Sequence, residues 1–357
     1  MRKARVAVAM SGGVDSSVAA ALLKKEGYEV IGVTMCFNIA GGALRHPGCC
    51  SISSIDDAKR VAHSLGVRHY VLNMQKALEE HVVKDFCAQY LLGRTPNPCI
   101  ICNQYLKFGE LLKKADVLGA EFLATGHYAR VIKSKGAFWL YKAKDLKKDQ
   151  SYFLYRLNEK QLKRAIFPLG RYSKDEVRKL ACNLSLSVAK KPASQEICFL
   201  PQGNYREFLK IRFGENIFPG AILDQPGNIV GRHKGIAYYT IGQREGLGVA
   251  MGYPAYITGI SHRNNTITIG KKEDAYSGRF IAKELYFTKN PIKNKVVLKV
   301  KIRYNHKESE AELIPAGNKI RVEFKKPQFA VTPGQAAVFY DRGRIAGGGT
   351  IDKSLPE

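Results

Sequence analysis

The sequence lacks several features that mark specialised protein classes. It has no hydrophobic run of the roughly 18–20 residues that a membrane-spanning helix needs, and its basic start is followed by neither an extended apolar core nor a small-residue cleavage site. It has no fixed-period repeat, and its 8 cysteines among 357 residues are too few for a disulfide scaffold. We therefore expect a soluble, cytoplasmic protein of two or three well-packed domains, with no membrane partner.

Acidic residues are scarce relative to basic ones. The chain has 31 Asp and Glu against 57 Lys and Arg, which gives a formal net charge of +26 at pH 7. The excess is present on both sides of residue 200, so it is not confined to a basic tail. Such a charge favours a polyanionic partner that contacts more than one domain. A generally basic proteome or a high-temperature habitat is the alternative that composition leaves open.

The hydrophobic patterns change near residue 200. Before it, β-like runs such as RVAVAM and YEVIGVTM alternate with helix patterns such as VAAALLKKEG, which is typical of a doubly wound parallel sheet. A Pro-rich loop is predicted between helices at about 76–92 and about 106–118. Beyond residue 200, β-rich segments such as GIAYYTIGQ, PAYITGI and NNTITIG are separated by Gly and Pro. This pattern predicts a small barrel or sandwich.

A glycine-rich turn, SGGVDSS at residues 11–17, joins the first predicted strand to the first helix. Backbone N–H groups and hydroxyls at a helix N-terminus form a phosphate site. The Gly-Lys-Ser/Thr ending of a Walker loop is absent, so the loop has no lysine for terminal phosphates, and Asp15 would act through magnesium or a structural hydrogen bond. The motif resembles that of the PP-loop ATP pyrophosphatase superfamily. This resemblance implies cleavage of ATP between the α and β phosphates and adenylation of a substrate oxygen.

Two segments carry cysteines in chemically favourable surroundings. Cys99 and Cys102 lie in GRTPNPCIICN, which is predicted to be a stiff loop before a helix, where a thiolate is stabilised. Cys198 lies in SQEICF, after the basic pair Lys190-Lys191. Structural zinc is disfavoured because no second CxxC is present. A buried, unreactive cysteine is the alternative that each of these positions leaves open.

Six motifs, in this order and spacing, resemble those of the tRNA-specific 2-thiouridylase (MnmA type) family: SGGVDSS, GRTPNPCxxCN, TGHYAR, KDQSYFL, SQEICF and YYTIGQREGLG. The resemblance runs along almost the entire chain. It implies an α/β protein with a parallel-sheet PP-loop (Rossmann-like) domain at 1–202, a small central linking domain at 203–277 and a C-terminal β-barrel at 278–357. The implied activity is ATP-dependent 2-thiolation of the wobble uridine of tRNA, position 34, by adenylation of its C2 oxygen and sulfur transfer from a cysteine persulfide.

The same resemblance assigns roles to individual residues. It implies that Cys102 is the nucleophile and that Cys198 carries the persulfide, the two forming a disulfide during turnover. The residues implied to bind ATP, with magnesium, are Ala9, Met10, Ser11, Gly12, Gly13, Val14, Asp15, Ser16, Met35 and Gly126. The residues implied to contact tRNA are Asn97, Pro98, Cys99, His127, Lys148, Asp149, Gln150, Arg303, Tyr304 and Gln335, the first three around the target base. The implied partners are tRNA and a sulfur-donor protein.

One departure from the family pattern leaves a second chemistry open. Cys99 stands where many members have Asp, so Cys99, Cys102 and Cys198 are also candidate ligands of an iron–sulfur cluster, as in related tRNA-thiolating enzymes. Another PP-loop enzyme, such as tRNA-lysidine synthetase, 4-thiouridine synthetase or an amidotransferase-type synthetase, does not explain both cysteine segments. A basic RNA-binding protein with a retained nucleotide fold is a third hypothesis, against which the intact cysteines argue.

Overall fold

The computed structural model describes residues 3–37, 52–192, 197–200 and 204–355. They form two compact units. The first comprises Met1–Val82, Cys99–Asn204 and Arg342–Ile345, and the second comprises Val83–Pro98, Tyr205–Asp341 and Ala346–Glu357. The Ser-Gln-Glu part of the SQEICF motif lies outside the described residues. Within the described part of the chain, none of the helices is apolar over a length that could cross a bilayer.

A parallel sheet organises the first unit, as predicted. The strands up to residue 166 are β1 (Arg5–Ala9), β2 (Glu29–Cys36), β3 (Arg68–Asn73), β4 (Phe122–Thr125), β5 (Ala129–Ser134), β6 (Ala137–Lys142) and β7 (Ala165–Ile166). Five of them form a sheet in the order β3-β2-β1-β4-β7, with parallel pairing throughout. The chain leaves β1 towards β2 on one side and returns to β4 on the other. Ligands of such sheets bind at this switch point, beyond the carboxyl ends of the strands.

The helices are α1 (Val14–Lys25), α2 (Ile52–Ser64), α3 (Gln75–Leu78), the π-helix π1 (Glu79–Val83), α4 (Lys84–Leu91), α5 (Pro98–Ile101), the π-helix π2 (Cys102–Leu111), α6 (Leu112–Val117), α7 (Glu159–Arg164), α8 (Lys174–Asn183) and α9 (Tyr205–Phe213). Helix α1 is rich in alanine and buried from Ser16 to Leu23, because it packs against both the sheet and α8. Helix α8 begins at a capping box: the Ser173 hydroxyl accepts from the Glu176 N–H, and the Glu176 carboxylate accepts from the Ser173 N–H.

The prediction that the Pro-rich segment stays a loop beyond Cys102 is wrong. The chain is helical from Pro98 onward, because proline at the first helical position has a suitable φ and lacks an N–H that would have no partner there. Helix α5 runs directly into π2, which begins at Cys102. Hydrogen bonds in a π-helix join residues five apart, so Cys102 and Lys107 are one turn apart on the same side of π2.

The second unit contains a four-stranded sheet. Its strands are β8 (Gly220–Leu223), β9 (Ile229–His233), β10 (Tyr256–Ser261) and β11 (Thr266–Gly270), in the order β10-β11-β8-β9. Strands β10 and β11 confirm the predictions made for PAYITGI and NNTITIG. The prediction of a strand over GIAYYTIGQ is wrong, because Ile236–Tyr238 forms a single 3-10 turn. Local bonds from the Tyr238 N–H to Gly235 and from the Tyr239 N–H to Ile236 replace strand pairing there.

The second unit also contains the predicted β-barrel. Its strands are β12 (Tyr276–Tyr286), β13 (Val296–Lys301), β14 (Ser309–Ala316), β15 (Lys319–Phe329), β16 (Ala336–Asp341) and β17 (Arg344–Leu355). They follow the order β12-β15-β14-β13-β16-β17, and β12 also pairs with β17, which closes the barrel. Alternate residues point inward, and Phe280, Val322 and Phe339 are fully buried in the core.

We expect Ser173→Ala to lower the free energy of unfolding by about 1 kcal/mol, because it removes the side-chain acceptor at the start of α8. Urea unfolding followed by circular dichroism measures the change. Lys179→Ala, at an exposed position of the same helix, is the matched control and is expected to change the free energy by less than about 0.5 kcal/mol. Equal effects of the two substitutions would contradict a capping role.

Candidate active site

A cavity of about 220 Å³ opens in the first unit at the carboxyl ends of β1, β2 and β4. Its lining residues are Ala9, Met10, Ser11, Asp15, Ser16, Val33, Thr34, Met35, Phe37, Lys107, Thr125, Gly126, His127 and Gln150. This is the switch point of the sheet, where a nucleotide is expected. The structure thus brings together most residues predicted to bind ATP with two predicted to contact tRNA, His127 and Gln150. Gly12, Gly13 and Val14 do not line the cavity.

The hydroxyls of the SGGVDSS loop bond to the loop itself. Ser16 Oγ and Ser17 Oγ both donate to the Gly13 carbonyl, at 3.1 and 2.9 Å, and the Ser11 N–H donates to Ser16 Oγ at 3.1 Å. Val14, predicted to bind ATP, is a buried residue of the core. The loop is therefore held in shape by its own side chains before any ligand enters.

Asp15 is fixed by two groups from other segments. Lys174 Nζ lies 2.6 and 2.7 Å from its carboxylate oxygens, and the Tyr128 hydroxyl donates to Oδ1 at 2.8 Å. Burial and the negative charge of Asp15 raise the pKa of Tyr128, so the phenol stays protonated and remains a donor. Of the two roles expected for Asp15, the structure contains the structural hydrogen bond.

Gly126 allows the TGHY segment to approach this loop. A Cβ at residue 126 would lie 2.8 Å from the backbone carbon of Asp15 and 2.8 Å from the Ser16 nitrogen. Any side chain would therefore force the two backbones apart. The assignment of Gly126 to the nucleotide site stays a prediction, and its place in the cavity wall is consistent with it.

His127 lies between a hydroxyl and an ammonium group. Its Nδ1 is 2.6 Å from Thr125 Oγ1, and Lys107 Nζ lies 3.4 Å from its Nε2. Because the lysine has only protons to donate, Nε2 accepts, and Nδ1 carries the proton of a neutral ring. Burial, and then the charge of Lys107, hold the pKa of His127 well below its usual value of 6.5. Because the imidazole of His127 is neutral, it does not compensate the positive charge of the Lys107 ammonium.

Sequence reasoning did not assign to this loop three lysines that lie around it. Lys174 begins α8 and pairs with Asp15, whereas Lys107 lies on π2 and lines the cavity. Lys191 donates to the Gly12 carbonyl at 3.1 Å and to the Asp57 carboxylate at 2.7 Å. The hydrogen bond from Lys191 is the main cause that lowers the pKa of Asp57. The five-residue spacing from Cys102 to Lys107 is visible in the sequence. It places the two residues on the same side of a π-helix but not of an α-helix.

The three cysteines of the two predicted catalytic segments differ in how exposed they are. Cys102, the first residue of π2, is buried, Cys99 is exposed on α5, and Cys198 is partly buried. Among the described residues, no three or more His, Cys, Asp or Glu side chains are grouped so that they could hold a metal ion. The assignment of Cys99, Cys102 and Cys198 as ligands of an iron–sulfur cluster stays a prediction. The roles of Cys102 and Cys198 stay predictions.

The KDQSYFL segment contributes structural contacts to the first unit. Asp149 is buried and accepts hydrogen bonds from the Ala143 N–H at 2.9 Å and the Ser151 hydroxyl at 2.7 Å. The Gln150 side-chain oxygen accepts from the Tyr128 N–H at 3.0 Å. Lys148 is exposed. Direct tRNA contacts of these residues stay predictions, but the observed partners of Asp149 and Gln150 are the protein's own backbone and side chains.

The remaining predicted tRNA residues lie in the second unit. Arg303 donates to the carbonyls of Ile241 and Ala330 at 3.1 and 2.9 Å. Tyr304 is partly exposed and has the Lys301 ammonium 5.3 Å from its ring centroid. Asn97, Pro98 and Gln335 also belong to this unit. Their contacts with tRNA stay predictions.

Three protein families match successive parts of the chain. Residues 4–202 match the tRNA methyl transferase HUP domain, residues 206–271 the tRNA methyl transferase PRC-barrel domain, and residues 277–351 the aminomethyltransferase β-barrel domain. The fold and the cavity thus define a HUP-type α/β protein with a nucleotide site, followed by two β domains. The predicted fold class is confirmed, whereas the exact domain boundaries stay predictions.

Relatives of known name match the whole length. The tRNA-specific 2-thiouridylase MnmA of Halothermothrix orenii is 48% identical over 98% of this chain and 99% of its own, and that of Carboxydothermus hydrogenoformans is 49% identical over 98% of each. The chain belongs to the tRNA-specific 2-thiouridylase MnmA family. A solved structure, the U34-tRNA thiolase NcsA from Methanococcus maripaludis with its 4Fe-4S cluster, is 22% identical, covers 60% of this chain and 67% of its own, and gives a TM-score of 0.36.

The protonation of His127 predicts a pH dependence of stability. Its pKa is lowered in the folded state, so the unfolded chain binds this proton first as the pH falls below about 6.5, and stability decreases. We expect His127→Gln to lose less stability than the unmodified protein between about pH 7.5 and about pH 5.5. Urea midpoints at the two pH values measure this, with His63→Gln at an exposed position as control. Identical losses in all three proteins would disprove the assignment.

Proposed function

We propose that this protein is an ATP-dependent sulfurtransferase that replaces the C2 oxygen of the wobble uridine of tRNA, position 34, by sulfur. The observation that carries the proposal is the cavity at the end of β1. It joins the SGGVDSS loop to Lys107, on the helix that begins at Cys102. The names of the full-length relatives support tRNA as the substrate. The net charge of +26 is consistent with a polyanionic partner.

The first proposed step activates the base. The C2 oxygen of uridine is a poor leaving group, so it first attacks the α-phosphorus of ATP; an O–P bond forms, the bond to pyrophosphate breaks, and N3 loses its proton. AMP then becomes the leaving group. ATP enters as its magnesium complex. One of the residues that line the cavity carries a carboxylate, Asp15, and this carboxylate is paired with Lys174. The target base must leave the anticodon stack to reach the nucleotide.

The second proposed step transfers sulfur. The terminal sulfur of a persulfide on Cys198, supplied by a donor protein, attacks C2, and AMP leaves with the bonding pair. The Cys102 thiolate then attacks Cys198 Sγ, which releases thiolated uridine and leaves a Cys102–Cys198 disulfide. In the alternative order, Cys102 first releases sulfide, which attacks C2. In both orders the sulfane sulfur gains two electrons from the two thiols, and an external dithiol must reduce the disulfide.

Lys107 has a separate proposed role in the first step. A Walker loop supplies its own lysine to the terminal phosphates, and the SGGVDSS loop contains none. Lys107 lines the cavity from π2, and its observed partner, His127, is neutral. Its ammonium is therefore available to phosphate oxygens of ATP, where a charge-assisted hydrogen bond stabilises the nucleotide.

The central test is nucleoside mass spectrometry of a tRNA pool incubated with the protein, ATP-magnesium, a cysteine desulfurase with cysteine, and a thiol reductant. We expect one oxygen-to-sulfur exchange at the wobble uridine. Cys102→Ser and Cys198→Ser should abolish it while tRNA affinity is retained, because each removes a sulfur centre and leaves the charged surface intact. Cys182→Ser, at an exposed position of α8, is the matched control and should remain active. Sulfur at another position, or none, would favour a different PP-loop enzyme.

Substitution of Lys107 tests the nucleotide contact. We expect Lys107→Met to raise KM for ATP by about 10-fold or more, because one charge-assisted bond contributes roughly 1.5–3 kcal/mol. Pyrophosphate release at varied ATP concentration provides the measurement. Lys113→Met, which removes an exposed lysine paired with Glu110 on the neighbouring helix, should leave KM unchanged. An unchanged KM in Lys107→Met would refute the contact.

A further inference from the structure

The segment 93–98, which precedes Cys99, is bonded to the β-barrel within the second unit. The Arg94 guanidinium donates to the carbonyl of Ile351 at 2.9 Å and to that of Asp352 at 3.3 Å, and it lies 3.6 Å from the Asp352 carboxylate. All of these acceptors belong to β17. Arg94 therefore contacts one barrel strand through both backbone and side-chain groups, and both members of its ion pair are largely buried.

A second set of bonds comes from the turn before β16. Gln335 Nε2 donates to the Thr95 carbonyl at 2.9 Å and to that of Pro96 at 3.4 Å, and the Thr95 N–H donates to the Pro333 carbonyl at 2.9 Å. A Cβ at Gly334 would lie 2.9 Å from the Thr95 nitrogen, so glycine is required for this approach. The barrel thus satisfies successive backbone groups of the segment, as it would those of an added strand.

The YYTIGQ motif joins the same network. Thr240 Oγ1 lies 3.0 Å from Thr95 Oγ1, and the next carbonyl, that of Ile241, accepts from Arg303. Arg303 also donates to the Ala330 carbonyl and to the Thr332 hydroxyl. Thr95 is therefore in contact with two other stretches of the second unit, residues 333–335 and Thr240.

We propose that Arg94 and Gln335 are positioning residues that hold Asn97 and Pro98 in the place where they meet the target base. The inference rests on the proposed function, which puts these residues around that base. Pro96 and Pro98 have fixed φ angles, so once residues 94–96 are held, little freedom remains in Asn97. A displacement of about 1 Å at a reacting group costs roughly 100-fold in rate, which makes such a constraint functionally large. Gln335 then acts on the protein's own loop, not primarily on tRNA.

The test separates the rate constant from affinity. Gln335→Met preserves side-chain length and Arg94→Met shortens the side chain, and both remove the donors. We expect each to lower kcat for thiolation at saturating tRNA and ATP by about 10- to 100-fold. The Kd for tRNA and the KM for ATP should change less than about 2-fold. Arg94→Lys retains the charge opposite Asp352 and should recover part of kcat. Arg321→Met, which removes an exposed arginine of β15 that is paired with Glu323, is the control and should leave kcat unchanged.

A readout that does not depend on activity completes the design. Amide hydrogen exchange of the peptide that spans 93–97 should accelerate in Gln335→Met and Arg94→Met, because the segment loses side-chain bonds to the barrel and the Thr95 N–H, which donates to the Pro333 carbonyl, opens more often. Exchange should be unchanged in Arg321→Met. Unchanged exchange and unchanged kcat would overturn the proposal, as would a raised Kd for tRNA with normal kcat. Failure of the proposed function would instead appear as unmodified protein that thiolates no tRNA, while the exchange result still decides the role of the two residues.

Discussion

The nucleotide end of the first unit depends on the contacts of one carboxylate. Asp15 lies in the turn between β1 and α1, and it accepts from Tyr128 of the TGHY segment and from Lys174 at the start of α8. The Asp15 and Lys174 side chains are only 33% and 13% exposed, so removal of one partner would leave the other charge poorly solvated. Three segments that are far apart in the chain thus meet at this group, and the close approach of Gly126 is possible only because it has no side chain.

Three lysines lie around a glycine-rich loop that has no cation of its own. Lys174 neutralises Asp15, Lys191 binds the Gly12 carbonyl and Asp57, and Lys107 lines the cavity beside a neutral histidine. The first two are committed to the protein's own carboxylates. Lys107 differs because its observed partner is uncharged, and burial keeps that partner uncharged. Of these three lysines, Lys107 is the one that lines the cavity, and it lies outside the glycine-rich motif.

In the second unit, three polar side chains bind loop backbone. Arg94, Arg303 and Gln335 each donate to at least two carbonyl groups. These bonds give hydrogen-bond partners to backbone carbonyl groups, in the way that a neighbouring strand does within a sheet. Asp149 does the same in the first unit, where it accepts from the Ala143 N–H. A polar residue that is required by a family motif can thus be required for the shape of a loop.

The parallel sheet and the turn before α1 were predictable because each follows from local patterns: buried apolar strands and a Gly-Gly turn before a helix. Local alternation between turns predicted a small barrel or sandwich, and the resemblance to the family indicated the barrel. The amino-acid sequence by itself also determined the motif order that marks the family. Only the tertiary structure decided that Cys102 begins a π-helix, that Asp15 pairs with Lys174, and that Gln335 bonds to the Thr95 carbonyl. These outcomes depend on contacts between residues up to 240 positions apart. No local pattern encodes such contacts, because side-chain partners are set by how the completed sheets and helices pack.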